Sequence, residues 1–325
     1  MFTLTEIGAM VDRAVQEMRI SSDPANLYEP IRYMMSMGGK KIRPNLCLAS
    51  YNLFSDEIGE NEISQALALE VFHEFTLIHD DIMDRADTRR GKMTVFKKWN
   101  ENVGILSGDA MMILSYKYIS QFHTRSHGEI LNLFTQTALQ VCEGQQYDMD
   151  FENVSDIKMD DYLKMIGLKT AVLIACATRM GALMAGAPQE TCQALYEYGY
   201  QLGMAFQITD DYLDTFGDEK VFGKKIGGDI ANNKKSWLLV ECTSRAEGED
   251  RAQLESIMAM GEDRRDEKVA AMQNLYVKLG VKDAAKEAIL QYYDKAMSSL
   301  GGADFTREQI SRLGTMAEQL VHREK

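Results

Sequence analysis

GENEISQALALEVFHEFTLIHDDIMD, Gly59 to Asp84, is the stretch whose reading decides the fold. Its apolar residues Ile63, Leu67, Val71, Phe75, Ile78 and Ile82 recur at spacings of three and four. That period predicts one long helix over 59–84. The helix runs into aspartates. Asp80 and Asp84 are four residues apart, so on a helix they stack on one face, about 6 Å apart along the axis. Asp81 sits about 100° round the axis from Asp80. Stacked carboxylates at the end of an apolar helix repel each other unless a cation joins them. Hard oxygen ligands suit Mg²⁺, which keeps several waters and bridges a few carboxylates to substrate phosphates.

The pattern recurs as FQITDDYLDTFGD, residues 206–218. Asp210, Asp211 and Asp214 follow a second apolar series, Leu202, Ala205, Phe206 and Ile208. A single DDxxD reads as a solvated helix end. MDDYLK, 159–164, is such a case, because Lys164 stands where the third acid would be. Two clusters, each on a helix too apolar for the surface, instead predict facing acidic walls at one mouth of a helical bundle. His73 and His79 lie close by, but no HExxH or repeated Glu-x-x-His accompanies them. This disfavours a di-iron carboxylate site.

The rest of the chain agrees with helices. It has 325 residues, 45% of them hydrophobic, enough for a sizeable core. Only 4 prolines interrupt it, and the long segments between them favour helix. Further helices are expected over 104–122, 128–151, 166–186 and 190–216. A glycine-bearing loop is expected over 217–230, with later breaks near Gly261, Gly280 and Gly301. Asp23 and Pro24 read as an N-cap and a first helical residue. No linker, repeat or low-complexity tract divides the chain, so the expectation is an all-α, single-domain bundle, 1–325. Its motifs span about 36–237 and its C-terminal helices about 247–325.

The net charge of −13 argues against nucleic acid, whose phosphates need a basic footprint. It argues equally against docking on anionic membranes by charge. Five scattered cysteines without a CxxC read as free thiols in a reducing compartment. The N-terminus is amphipathic and acidic, unlike a signal peptide. No uninterrupted apolar run approaches the roughly 20 residues of a membrane span. A soluble, cytoplasmic protein without stable membrane insertion is expected.

Basic residues bracket the acids. MGGKKIRP (37–44) carries Lys40 and Arg43 behind Gly38 and Gly39, which let a ligand approach the backbone. Arg89 and Arg90 follow the first cluster. Lys169 precedes Thr170, and Lys224, Lys225 and Lys234 follow the second cluster. Arginine offers a bidentate fork to phosphate and lysine a point charge. One account covers both signs of charge. One diphosphate is held through Mg²⁺ by aspartates, another directly by basic side chains, and an apolar slot lies beneath. Such a site suits departure of diphosphate from an allylic carbon, with the carbocation shielded from water.

GGKKIRP, HEFTLIHDDIMD with its RRG, KT, FQITDDYLD and GKKIGGDI, in this order, closely resemble the trans-isoprenyl diphosphate synthases, or polyprenyl synthetases. The resemblance implies a bundle of antiparallel helices around a central cavity, usually as a homodimer. It implies head-to-tail condensation of isopentenyl diphosphate with an allylic diphosphate. By matching positions, Asp80 and Asp84 bind two Mg²⁺ ions and Asp210 a third, with Mn²⁺ able to substitute. Asp81, Asp211 and Asp214 support them. Lys40, Arg43, His73 and Arg90 hold isopentenyl diphosphate. Arg89, Lys169, Lys224 and Lys234 grip the allylic diphosphate. Thr170 and Gln207 turn polar oxygens toward the carbocation. Gln145 and Asp148 resemble the family's GQxxD segment near the metals. The departing diphosphate takes the final proton. One departure is the doubled lysine, which leaves Lys224 or Lys225 as the contact; Lys224 is the choice here.

Chain length, too, is read through the resemblance. Phe75 and Thr76 stand five and four residues before Asp80, and Phe75 is about 7.5 Å away along the axis. One aromatic at the fifth position and an uninterrupted DDIMD resemble producers of geranylgeranyl diphosphate, with farnesyl diphosphate or a longer product as alternatives. Phe72, two turns from the metals, is the other candidate floor. A terpene cyclase would lack the second DDxxD, and a noncatalytic partner subunit would lose acids from the clusters.

Overall fold

The computed structural model describes residues 1–121, 125–218 and 226–321. Helices make up 77% of it and strands almost none, as the sequence predicts. They are α1 (Leu4–Gln16), α2 (Ala25–Met35), α3 (Ile42–Tyr51), α4 (Glu60–Met83), α5 (Val95–Lys98), α6 (Glu101–Ser120), α7 (His127–Phe151) and α8 (Met159–Ile166). After these come α9 (Val172–Met184), α10 (Gln189–Phe216), α11 (Gly228–Ala231), α12 (Trp237–Arg245), α13 (Gly248–Met258), α14 (Arg265–Lys278), α15 (Val281–Ser299) and α16 (Arg307–Val321). The chain forms two compact units, Met1–Thr135 with Cys176–Leu195, and Gln136–Ala175 with Tyr196–Lys325. The first acid cluster belongs to the first unit and the second cluster to the second.

In the first unit α4 is the spine. Its expected apolar stripe is wider than the sequence suggests. From Ala66 to Phe75 every side chain except His73 is buried, the mark of a helix surrounded by others. Helix α6 runs antiparallel beside it. Gly104 lies under Ile82, where a Cβ would come 2.8 Å from the isoleucine Cδ1, and Gly108 lies under the His79 ring. Farther along, the Ser64 hydroxyl donates to the Tyr118 carbonyl at 3.0 Å.

Beyond α4 comes the one pair of strands among the described residues, a hairpin of β1 (Thr88–Arg89) and β2 (Lys92–Met93). Arg90 and Gly91 turn it with φ of 51° and 73°, the geometry of a two-residue type I′ turn. Strands of two residues carry no readable alternation, so the sequence does not announce them. At α2 the cap moves by one residue. Pro24, extended at ψ 137°, is the N-cap itself, with no side-chain cap bond.

In the second unit the expected helix over 166–186 differs in one respect. Helix α8 begins at Met159, and a single π turn, Gly167–Ala171, joins it to α9. Glycines of two neighbouring helices make room for that wider turn. Gly144 of α7 meets the Lys169 backbone, and a Cβ on Gly203 of α10 would fall 2.6 Å from Ala171 Cα. The run Met159–Met184 is apolar enough to cross a membrane, with mean hydropathy 1.4, yet 83% of its window is buried inside the protein. Those apolar residues therefore serve as core. Four cysteines, Cys47, Cys176, Cys192 and Cys242, are buried free thiols, and Cys142 is an exposed one.

Candidate active site

The first acid cluster is built at the C-terminal end of α4. Asp84 is the C-cap residue, its N–H donating to the Asp80 carbonyl at 2.8 Å. The three carboxylates meet different fates. Asp81 is 1% exposed and accepts from Arg89 Nε at 2.8 Å. Burial pushes its carboxyl up to about 6, against the pull of Arg89. Asp80 is half-buried and also meets Arg89, Nη2 to Oδ2, at 3.3 Å, while Asp84 is exposed. The solvent-facing side of the cluster is therefore Asp80 with Asp84, one turn apart.

The second cluster divides in the same way at the end of α10. Asp211 is buried and accepts three donors: the Tyr162 hydroxyl at 2.5 Å, the Trp237 N–H at 2.7 Å and Gln207 Nε2 at 3.0 Å. Burial raises the Asp211 carboxyl in spite of these donors. Burial also holds the Tyr162 hydroxyl well above its ordinary range, so the proton stays on the tyrosine. Asp214, 3% exposed, accepts the Asp229 N–H at 2.9 Å, next to the short helix α11. Asp210 alone of the three reaches solvent.

The π turn presents Lys169 and Thr170 side by side. Lys169 Nζ donates to Asp148 at 2.6 Å, and the Thr170 hydroxyl donates to Gln207 Oε1 at 2.9 Å. Because Asp211 takes the amide N–H₂ of Gln207, the amide oxygen is fixed on the Thr170 side. Lys234 is exposed, with its N–H bonded to the Asp229 carbonyl at 2.9 Å, and its charge helps to lower Asp211. Gln145 is half-buried on α7. Lys224 and Lys225 lie outside the described residues.

A second polar group lies about two turns below Asp80 on α4. One ligand atom each from Glu70, His73 and Glu74 lie within 4.8 Å of one another. Glu70 and Glu74 are 3% and 1% exposed. Burial raises both carboxyls, Glu70 to about 7. Burial, with Arg43, Arg90 and Arg89 nearby, drives His73 well below its ordinary value and keeps it neutral. Arg43 is itself buried, while Lys40 is exposed behind Gly39. Arg90 Nη2 donates to Glu74 Oε1 at 2.8 Å.

Sequence reasoning passed over Glu70 and Glu74. Their signal was a charge inside a run of apolar residues, the arrangement that must be paired if the helix is buried. It also set Tyr162 aside with the exposed Asp160 and Asp161, although Tyr162, Met165 and Ile166 share a helical spacing.

Phe75, 7% exposed, stacks edge-on against Phe72 at 5.2 Å and His79 at 5.1 Å between centroids. Phe72 meets Phe134, and Phe134 meets Tyr116, both at 5.2 Å. The Thr76 hydroxyl donates to the His73 carbonyl at 2.7 Å.

The donor set fits a hard divalent cation. Paired carboxylates that reach solvent are available at Asp80 and Asp84.

Comparison with known proteins gives the family. The model of the polyprenyl synthetase family matches residues 24–276. The short chain isoprenyl diphosphate synthase of Methanothermobacter thermautotrophicus is 36% identical, over 91% of this chain and 90% of that one. The geranylgeranyl diphosphate synthase of Methanosarcina mazei is 34% identical over 97% and 95%. A geranylfarnesyl diphosphate synthase, from Natronomonas pharaonis, is 34% identical over 98% and 96%. A crystal structure of a geranylgeranyl pyrophosphate synthase superposes with a TM-score of 0.94 at 39% identity, covering 100% of both chains. The family match takes in both acid clusters and the helices that carry them, and the relatives align along nearly their whole length. This chain belongs to the polyprenyl synthetase family.

Proposed function

We propose that the protein is a trans-prenyltransferase that condenses isopentenyl diphosphate with allylic diphosphates and releases geranylgeranyl diphosphate. The observation that carries this reading is the sorting of six aspartates. Asp81, Asp211 and Asp214 are buried in fixed hydrogen bonds, while Asp80, Asp84 and Asp210 face solvent. The buried three hold the shape of each helix end, and the outward three offer oxygens to cations.

On this reading Asp80, Asp84 and Asp210 hold Mg²⁺, three ions in all, with Mn²⁺ as a substitute. When bound, the ions neutralise the allylic diphosphate and make it a better leaving group. Arg89, Lys169, Lys224 and Lys234 grip the same diphosphate. Lys40, Arg43, His73 and Arg90 hold isopentenyl diphosphate, and a neutral His73 serves as hydrogen-bond donor rather than as charge. As the allylic C1–O bond breaks, the Thr170 hydroxyl oxygen and the Gln207 amide oxygen face the growing positive charge. The isopentenyl double bond then closes on C1, and the proton lost from the adduct passes to the departed diphosphate.

Phe75 bounds the growing chain, and the ring of Phe72 directly behind it closes the slot more firmly than one side chain would. A longer C25 product is the second reading, favoured by the geranylfarnesyl synthases among the relatives. The assembly is a homodimer in the cytoplasm. Support for a second copy comes from α6, where Ile105, Leu106, Met112 and Ile113 are exposed along one helix.

The test is a product assay. Pure protein is incubated with Mg²⁺, isopentenyl diphosphate and dimethylallyl, geranyl or farnesyl diphosphate in turn, and products are read by mass spectrometry. A Mg²⁺-dependent C20 product is expected. No elongation of any primer by the folded protein would overturn the reading.

A further inference from the structure

Arg90 is held more closely than a ligand-binding arginine on a surface hairpin needs to be. It sits in the left-handed region, φ 51°, at the first turn position between β1 and β2. Its guanidinium donates to Glu74 Oε1 at 2.8 Å and to the Gly38 carbonyl oxygen. It also covers Gly39, where φ is 138° and a Cβ would fall 2.9 Å from the arginine Cζ. Three segments thus meet at one guanidinium: the spine helix α4, the hairpin that follows it, and the double-glycine turn before α3.

The α4 side of this junction is chemically odd. Glu74 is 1% exposed, and its Oε2 has no hydrogen-bond partner among the described residues. A buried carboxylate with one oxygen unsatisfied is costly. A carboxylate repels a diphosphate but attracts a guanidinium, and Glu74 is turned to Arg90. Its one strong contact is Arg90.

We infer that Glu74 is a positioning residue for isopentenyl diphosphate: it fixes the Arg90 guanidinium and, through it, the Gly38–Gly39 turn that carries Lys40. This rests on the proposed function, which places Arg90 and Lys40 at that substrate. The effect belongs to one substrate only. Arg89, which points to Asp80 and Asp81 instead, is left where it is.

The test is steady-state kinetics of Glu74→Gln and Glu74→Asp, with each substrate varied separately. Glu74→Gln keeps the shape and removes the charge. Loss of a charge-assisted hydrogen bond should raise the KM for isopentenyl diphosphate about tenfold. The KM for the allylic substrate and kcat should stay within about twofold, since neither depends on the lost bond. Glu74→Asp, which retains the charge, should recover part of the loss.

A cycle with Arg90→Ala separates positioning from general damage. If Glu74 acts through Arg90, adding Glu74→Gln to Arg90→Ala should raise the isopentenyl diphosphate KM no further. An unchanged KM in folded Glu74→Gln overturns the inference. So does an equal loss for both substrates, or full additivity with Arg90→Ala. Turnover by the unmodified protein in the same assay separates the two claims: if it is absent the function itself falls, and if it is present only Glu74 is at stake.

Discussion

Two residues of one sequence motif can do opposite jobs, and burial decides which. Asp80 and Asp81 are neighbours that both meet Arg89, yet one is half-buried and the other wholly buried. Asp80→Ala should therefore cut Mg²⁺-dependent turnover by at least about a hundredfold while the helical circular dichroism stays intact; full activity would remove the first cluster from the mechanism. The spacing of DDxxD already separated Asp80 and Asp84 from Asp81 by angle. It did not show that Arg89 turns back to Asp81, because a contact across a hairpin leaves no trace in helical periodicity. Glu70 makes a separate prediction about stability. The folded chain keeps its proton up to about pH 7, whereas an ordinary glutamate releases it near 4.5. Folding thus binds a proton between those values, and stability falls as pH rises through them, by up to about 3 kcal/mol. Glu70→Gln should flatten that decline, so urea midpoints compared at pH 5 and pH 8 should differ less in the variant than in the parent.

At the scale of elements, long helices were legible and their interruptions were not. Helix α10 was foreseen to within a residue of its ends, because a continuous apolar period over many turns leaves little freedom. The π turn at Gly167–Ala171 was invisible, since it depends on the glycines Gly144 and Gly203 of other helices yielding space. That one widened turn sets the direction of Lys169 and Thr170, a common use of π turns at functional sites. The same scale governs product length. Phe75 does not stand alone, for Phe72 meets it edge-on and Phe134 in turn meets Phe72. Phe75→Ala should lengthen the product, and Phe75→Ala with Phe72→Ala should lengthen it further. Mass spectrometry of the products from farnesyl diphosphate checks both. An unchanged product spectrum in the double variant would show that the floor lies elsewhere.

For the molecule as a whole, few prolines and long helix-favouring segments predict an all-α chain, and the structure is one. What composition could not place was charge inside the core. The chain carries −13 overall, yet the buried Asp81, Glu74 and Asp214 each find a local donor in Arg89, Arg90 or a backbone N–H. The apolar run Met159–Met184 likewise gains its meaning only from the fold, which wraps it. One more consequence follows from the way Asp211 is held. The chain has 2 tryptophans. Trp99 meets Tyr33 edge-on, while Trp237 is 6% exposed and begins α12 with its backbone N–H bonded to Asp211. With Trp99→Phe, all remaining indole emission would come from Trp237, whose backbone N–H is held by Asp211, the neighbour of Asp210. Adding Mg²⁺ with inorganic pyrophosphate should then change its intensity, and Asp210→Ala should silence that response. The second acid cluster thus comes with a built-in optical gauge, able to report occupancy without any turnover at all.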